Sequence, residues 1–401
     1  MLNAFHWLKG GVERTVFDEA RWLEAAGHEV AHFAIRDPRN VPGRFVDHFA
    51  PAADYSETTP AWRQLTQLPR ALWSEPAERA LDGLLAAWRP DVAHVHAPSR
   101  YLTPSVIAGL ERAGVPTVMT LHDFKPWCTN RLLFARGAPC ERCRGGHHWH
   151  AVTTGCVQRS RLKSLVGALE AYEHDRRAAY RPVRRWIAPS LFVRDKAVEL
   201  GADAARIRVL AHGVEQAGAA AGAHARGLPA SYVLYAGRLS EEKGVRLLPL
   251  LARTIAPAPV VVAGGGPLAE WLAFAGDGVR LLGHLEGAEF AGVRARAAVV
   301  VVPSLFPETF GYAVAEAQLD ARAVVASRIG ALTELVADGA TGWLVPPGDG
   351  AALAAAVQRA LADPAEAARR GEAARARATE AFSPAAHTRG LTAIYEEAIR
   401  G

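Results

Sequence analysis

Residues 298–316 read AVVVVPSLFPETFGYAVAE. The opening run is short, unbroken and apolar, and Pro303 and Ser304 close it, as expected of a strand buried on both faces of a sheet. From about Phe310 onward Ala, Val and Glu favour a helix. A buried strand that passes through a polar loop into a helix is half of a β-α-β unit. The same alternation recurs along the chain. DVAHVHA (91–97), PTVMTLHD (116–123) and RWIAPS (185–190) lie upstream, and SYVLYAGR (231–238), PVVVAGGG (259–266), VRLLG (279–283) and AVVAS (323–327) lie around the quoted segment. Parallel sheets covered by helices are the expected fold, an α/β class.

The chain has 401 residues, beyond the size at which one core keeps growing, so two domains are expected. Hydrophobic residues make up 50% and charged residues 22%, which excludes a disordered tail or a coiled coil. Lys and Arg number 46 against 41 Asp and Glu, and a surplus of +5 is too small to indicate nucleic acid by charge. No apolar run approaches the 18 or more residues of a spanning helix. The N-terminal residues lack a secretory pattern, so a cytoplasmic protein is expected.

The apparent restart near 183–190 places the domain boundary near residue 185, giving an N-terminal domain at 1–184, a C-terminal domain at 185–380 and a terminal helical segment at 381–401. The Ala/Gly-rich stretch 216–229 reads as a loop before the strand at Tyr232. Residues 351–381 read as helices broken at Pro364, and 384–399 as an amphipathic helix packing across both domains. Each half carries a glycine-rich turn, Gly10-Gly11 and Gly264-Gly265-Gly266, and two such domains facing one another create a cleft at the carboxyl ends of their strands. Only Met1 to Leu8 precede the first turn, too few for a full opening strand, so the central strand of the first sheet is expected to be incomplete or to start upstream.

Glu308 and Glu316 are separated by seven residues. On a helix that begins near Phe310 they stand roughly 12 Å apart, a span that suits a nucleotide sugar. One carboxylate can take sugar hydroxyls and the other a ribose, while the helix N-terminus offers N–H groups to a diphosphate. A first-turn Glu stabilising the helix dipole, with an unrelated surface Glu, is the plain alternative. GRLSEEKG (237–244) places Arg238 and Lys243 on a strand-to-helix loop, where a guanidinium and an ammonium can clamp a diphosphate leaving group or stand as solvated surface cations.

Taken together, GGVER (10–14), APSLFVRD (188–195), LAHGVE (210–215), AGRLSEEKG (236–244), PETFGYAVAE (307–316) and TGWLVPPGD (341–349) resemble, in order and spacing, the motifs of family-4 glycosyltransferases, over nearly the whole chain. The resemblance implies a GT-B fold of two Rossmann-like domains and metal-independent transfer, with retention of anomeric configuration, from a nucleotide diphosphate sugar to a hydroxyl-bearing acceptor. It implies Glu308 at the donor-sugar hydroxyls, Glu316 at the ribose, Arg238 and Lys243 at the diphosphate, and backbone N–H groups of Phe310 and Gly311 at sugar or phosphate. Gly10 and Gly11 match a loop closing on phosphates or acceptor, and His122 matches the histidine near the anomeric carbon. Gly265, with its neighbours Gly264 and Gly266, would let the backbone approach the donor, and Gly283, His284 and Leu285 would line the base pocket.

The expected chemistry is positioning and electrostatic stabilisation of the departing diphosphate, with the acceptor proton passing to a phosphate oxygen. A covalent route would need Asp123 or Glu308 near the anomeric carbon. A dinucleotide reading of GGGP is disfavoured, because the full G-x-G-x-x-G and its following acid are missing. The rival enzyme is a GT-B nucleotide-sugar epimerase. The rival from another class is a zinc-bearing nucleic-acid binder, resting on the basic balance and a cysteine knuckle.

That knuckle belongs to the four cysteines, Cys128, Cys140, Cys143 and Cys156, with His147, His148 and His150 between them. The donor set permits structural zinc; reduced thiols or a disulfide are the alternatives. From Arg159 to Arg185 eight basic residues face three acidic ones, which suits anionic lipid headgroups at the inner membrane face, a phosphorylated acceptor, or a solvated helix face.

Overall fold

The computed structural model describes residues 1–53, 66–216, 227–229 and 231–401. It divides into two compact units. The first comprises Met1–Arg136, Cys140–Gly213 and His387–Gly401; the second comprises Gly137–Pro139 and Val214–Ala386.

In the first unit the strands β1 (Ala93–Val95), β2 (Thr117–Thr120), β3 (Val183–Ala188) and β4 (Ile207–Val209) form a parallel sheet in that order. Three further segments continue it: Leu2 bridges both Val95 and Phe33, and Ile35 bridges Ala50, all in parallel. The segment expected to be short does take the central position, although only Leu2 bridges its neighbours. Leu2 donates to the His94 carbonyl at 2.7 Å and accepts from His96 at 2.9 Å, while Asn3 donates to Phe33 at 3.1 Å and Phe33 to Met1 at 2.9 Å. The short segment pairs on both sides, which is what the central position of a doubly wound sheet demands.

The boundary expected near residue 185 is also corrected, because it falls inside β3. A strand that follows a long helix looked like a new domain, yet β3 and β4 add to the first sheet, and the units divide between Gly213 and Val214. Most of the loop expected at 216–229 lies outside the described residues. The C-terminal helix, α4 (Pro384–Arg400), belongs to the first unit from His387 onward; its Leu391, Ile394 and Ala398 pack on Val118 of β2 and Ile187 of β3.

The second unit holds β5 (Val233–Ala236), β6 (Val260–Ala263), β7 (Val279–Gly283), β8 (Val299–Val302), β9 (Val324–Ser327) and β10 (Gly342–Val345). The order is β10-β9-β8-β5-β6-β7 and every pairing is parallel. All four residues of β8 are buried because alternate side chains enter different cores. Val299 and Val301 join Leu248 and Leu251 on one face, and Val300 and Val302 join Val314 and Ala317 on the other. Each such valine contributes about 1.5–3 kcal/mol by leaving water. The helical stretch 351–381 breaks as expected: Asp363 accepts from the Glu366 N–H at 2.9 Å, and Pro364 opens the second helix, where its missing donor costs nothing.

Candidate active site

Strand order reverses between β5 and β8, which are neighbours, so the loops leaving their carboxyl ends meet at the topological switch point. That placement brings Lys243 and Glu308 together although 65 positions separate them. Lys243 Nζ donates to both carboxylate oxygens of Glu308, at 2.7 and 2.9 Å, and Ser304 Oγ donates to Oε1 at 2.6 Å. Glu308 is buried, whereas the Lys243 side chain keeps 29% of its exposure and can meet a ligand.

Two glycines allow this approach. Gly244 has φ +71°, and a Cβ there would lie 1.9 Å from the Pro303 carbonyl oxygen at the end of β8; Gly330 has φ +57°, and its Cβ would lie 2.6 Å from both Glu308 N and O. The Leu305 N–H also donates to the Glu242 carbonyl at 2.8 Å, tying the two loops together. Gly244→Ala is therefore expected to cost about 3 kcal/mol, from strain and overpacking combined. A urea unfolding midpoint equal to the wild type would contradict this packing.

The other expected donor residues are placed individually. Arg238 is exposed on the loop after β5. Gly265 lies beside that loop, its carbonyl accepting from Leu239 at 2.9 Å. Gly283 ends β7, His284 is exposed and bonded to Glu286 at 2.9 Å, and Leu285 packs against the sheet. The helix expected from Phe310 begins two residues later as α3 (Tyr312–Leu319), because Gly311, at φ +101°, occupies its N-cap. Glu308 thus sits in the loop and Glu316 on the helix. Phe310 is buried, edge-on to Tyr312 and Phe382. Glu316 is buried against Arg294, 3.5 Å away, whose Nε donates to Asp320 at 2.6 Å.

In the first unit Gly10 and Gly11 cap and open α1 (Gly11–Ala25), on the loop that leaves the central segment. His122 follows β2, and its Nε2 lies 3.0 Å from His96 Nδ1. Burial lowers the His122 pKa to about 3, so the ring is neutral at pH 7. Asp123 accepts from the Lys125 N–H at 2.9 Å.

Sequence reading missed the polar group behind His122. His94 bonds Tyr395 and Thr120, each at 2.7 Å, and His387 spans Glu19 at 3.0 Å and the Ala211 carbonyl at 2.7 Å. His212 stacks on His122 with ring centres 5.2 Å apart. Burial alone would lower the His387 pKa, but the Glu19 carboxylate more than offsets it and raises it. Among the described residues, Glu19, His94 and His96 are the one His/Cys/Asp/Glu group whose candidate ligand atoms converge within 4.8 Å. Both His94 nitrogens are already engaged and His387 Nε2 lies 3.0 Å from Glu19 Oε1, whereas Glu19 Oε2 and His96 Nε2 are buried with no hydrogen bond.

The four cysteines are free thiols, and they are not part of any such converging group. Cys128 is buried, which pushes its thiol up to about 12, and its Sγ donates to Asn130 Oδ1 at 3.0 Å. Cys143 Sγ lies 3.8 Å from Thr129 Oγ1.

Two doubly wound parallel units, each with its candidate residues on loops at the carboxyl ends of strands, define a GT-B glycosyltransferase. A family model described as Glycosyltransferase Family 4 matches residues 9–217, and one described as Glycosyl transferases group 1 matches residues 230–363. The chain belongs to glycosyltransferase family 4. It is 30% identical over 417 residues to a glycogen synthase of Mycobacterium tuberculosis, covering 98% of this chain and 92% of that one. It is 28% identical over 368 residues to a phosphatidyl-myo-inositol mannosyltransferase of Mycolicibacterium smegmatis, covering 88% and 82%. Sucrose-phosphate synthase from Thermosynechococcus elongatus has a similar structure, with TM-score 0.71 and 23% identity over 98% of this chain and 95% of that one. Anabaena Alr3699/HepE, crystallised with UDP and glucose, gives TM-score 0.66 and 19% identity over 98% and 97%. No helix among the described residues is long and apolar enough to cross a membrane.

Proposed function

We propose that this glycosyltransferase takes a sugar from a uridine or guanosine diphosphate sugar and places it, with retained anomeric configuration, on a hydroxyl of a glycan, a lipid-linked intermediate or a small molecule. The observation that carries the reading is the Lys243–Glu308 pair at the switch point, one cation for a diphosphate beside one buried carboxylate for sugar hydroxyls. Arg238, five residues before Lys243, adds a second cation on the same loop, and Glu316, which lies 3.5 Å from Arg294, is the carboxylate assigned to a ribose in this reading. The crystallised complex of Alr3699/HepE with UDP and glucose supports a nucleotide-sugar donor.

Stabilising the leaving diphosphate by Arg238, Lys243 and the α3 N-terminus lowers the barrier without a protein nucleophile. His122, neutral, can offer a hydrogen bond but no charge. Retention is checked by the anomeric proton coupling of the product. Donor binding is checked by thermal shift with nucleoside diphosphates and their sugar conjugates, since a ligand of the native state raises Tm. Glu316→Ala is expected to abolish the shift; if Glu316→Ala and Lys243→Ala both kept it, the donor site would lie elsewhere.

Structural zinc on Cys128, Cys140, Cys143 and Cys156 is proposed as a second, separate feature. Four unpaired thiols within one polar insertion support it, and binding would require the sulfurs to draw closer than they stand. Purified protein is expected to carry about one zinc per chain and to lose protease resistance in the insertion under chelation. Metal-free protein with four titratable thiols would remove the proposal.

A further inference from the structure

The helix α2 (Arg161–Arg176) seals the first unit with one face, on which Ser164, Gly167, Ala168, Ala171 and His174 are buried. Its other face is unusual. Leu162, Leu165, Leu169 and Tyr172 keep 71%, 43%, 42% and 41% of their exposure, at the i, i+3, i+7 and i+10 spacing of a single stripe. Trp149, 51% exposed, extends that stripe, because its backbone N–H donates to the Tyr172 hydroxyl at 3.1 Å. Leucines exposed singly are ordinary on a protein surface, but five large apolar side chains in one row are a contiguous patch.

Charge at the Leu162 end of the patch is one-sided. Between Glu141 and Glu170 the sequence contains no acidic residue, while Arg142, Arg144, Arg159, Arg161 and Lys163 are all exposed there. Acids return at Glu170, which is buried and paired with Lys125, and at the far end of α2, where Glu173 pairs with Arg176 and Arg177 and Asp175 with His148.

We propose that the α2 stripe and Trp149 form a docking surface for an anionic lipid bilayer, with the leucines entering the headgroup boundary and Arg159, Arg161 and Lys163 meeting lipid phosphates. Charge complementarity selects this occupant: a second copy of the chain would bring two cationic faces together, whereas an anionic membrane neutralises them. Tyr172 and Trp149 suit the boundary, each having an apolar ring and a polar edge. An in-plane helix with this pattern binds by apolar burial plus electrostatic attraction, and needs no spanning length. The proposal deepens the acceptor side of the proposed function and uses none of its donor residues.

Vesicle co-sedimentation tests it, with phosphatidylcholine alone and with phosphatidylglycerol added. The wild type is expected to sediment with the mixed vesicles and to be released by high salt. The triple variant Leu162→Gln, Leu165→Gln, Leu169→Gln is expected to partition about tenfold less. The variant Arg159→Gln, Arg161→Gln, Lys163→Gln is expected to lose the preference for anionic vesicles. All six side chains are exposed, and the nucleotide-induced thermal shift in the same samples reports whether the variants are folded and whether the donor reading holds. Equal wild-type binding to both vesicle types, or leucine variants that sediment like wild type, would overturn the proposal. So would light scattering that shows a dimer dissolved by the leucine changes, which would assign the face to self-pairing.

Discussion

Lys243→Ala is expected to lower kcat/KM about 10³-fold, the usual cost of removing one preorganised group that stabilises charge on a leaving group. Its loss acts twice. On the proposed reading the diphosphate forfeits a cation, and Glu308, buried and bonded to both Lys243 and Ser304, is left with only the serine hydroxyl. A lysine that merely neutralised its neighbour would lower stability without changing turnover in the folded fraction. Steady-state kinetics alongside the melting temperature separates the two. A folded Lys243→Ala enzyme with kcat/KM within about threefold of wild type would remove Lys243 from the chemistry.

Acid is expected to loosen the first unit before the second. Burial lowers the pKa of His32 and His122 to about 3 and of His6 to about 4, and holds His94, His96 and His212 well below their ordinary value. A histidine whose folded pKa is depressed binds its proton first in the unfolded chain. Its contribution is complete above about pH 6.5 and is lost as pH falls toward the folded value, at up to about 1.4 kcal/mol per pH unit for each group. His387, with a raised pKa, works in the opposite sense and offsets part of this. All of these belong to the first unit, whereas the described residues of the second include a single histidine, His284, which is exposed. Hydrogen exchange, corrected for intrinsic rates, should therefore show β2 losing protection relative to β8 between about pH 7 and pH 5. Equal changes in both strands would contradict it.

The strands were legible wherever a parallel sheet buries both faces, since an unbroken apolar run such as Val299–Val302 fits poorly anywhere but the middle of such a sheet. Ile207–Val209 escaped notice because it is an edge strand, half exposed and interrupted by Arg208. Gly342–Val345 was read as a motif rather than a strand. The division of the chain was misplaced for a related reason: a new strand announces a new β-α unit, but the sequence does not say which sheet receives it. Individual donor residues were legible from motifs, but their partners were not. Nothing local joins Lys243 to Glu308, or Arg294 to Glu316; only the adjacency of β5 and β8 and the course of α3 do so. The His94–His96 pair did leave a signal, since residues two apart on a strand share a face, and two imidazoles on one buried face require polar company.

The contact between Lys243 and Glu308 also bears on selectivity among the many anions of a cell. A cation already satisfied by its own carboxylate gains little from stray phosphate or sulfate, which would have to break the pair and leave the acid stranded. A guest bearing negative oxygens at one end and hydroxyl donors at the other can replace both halves at once. On the proposed reading the pair is in this sense a latch, one that yields to two-handed molecules.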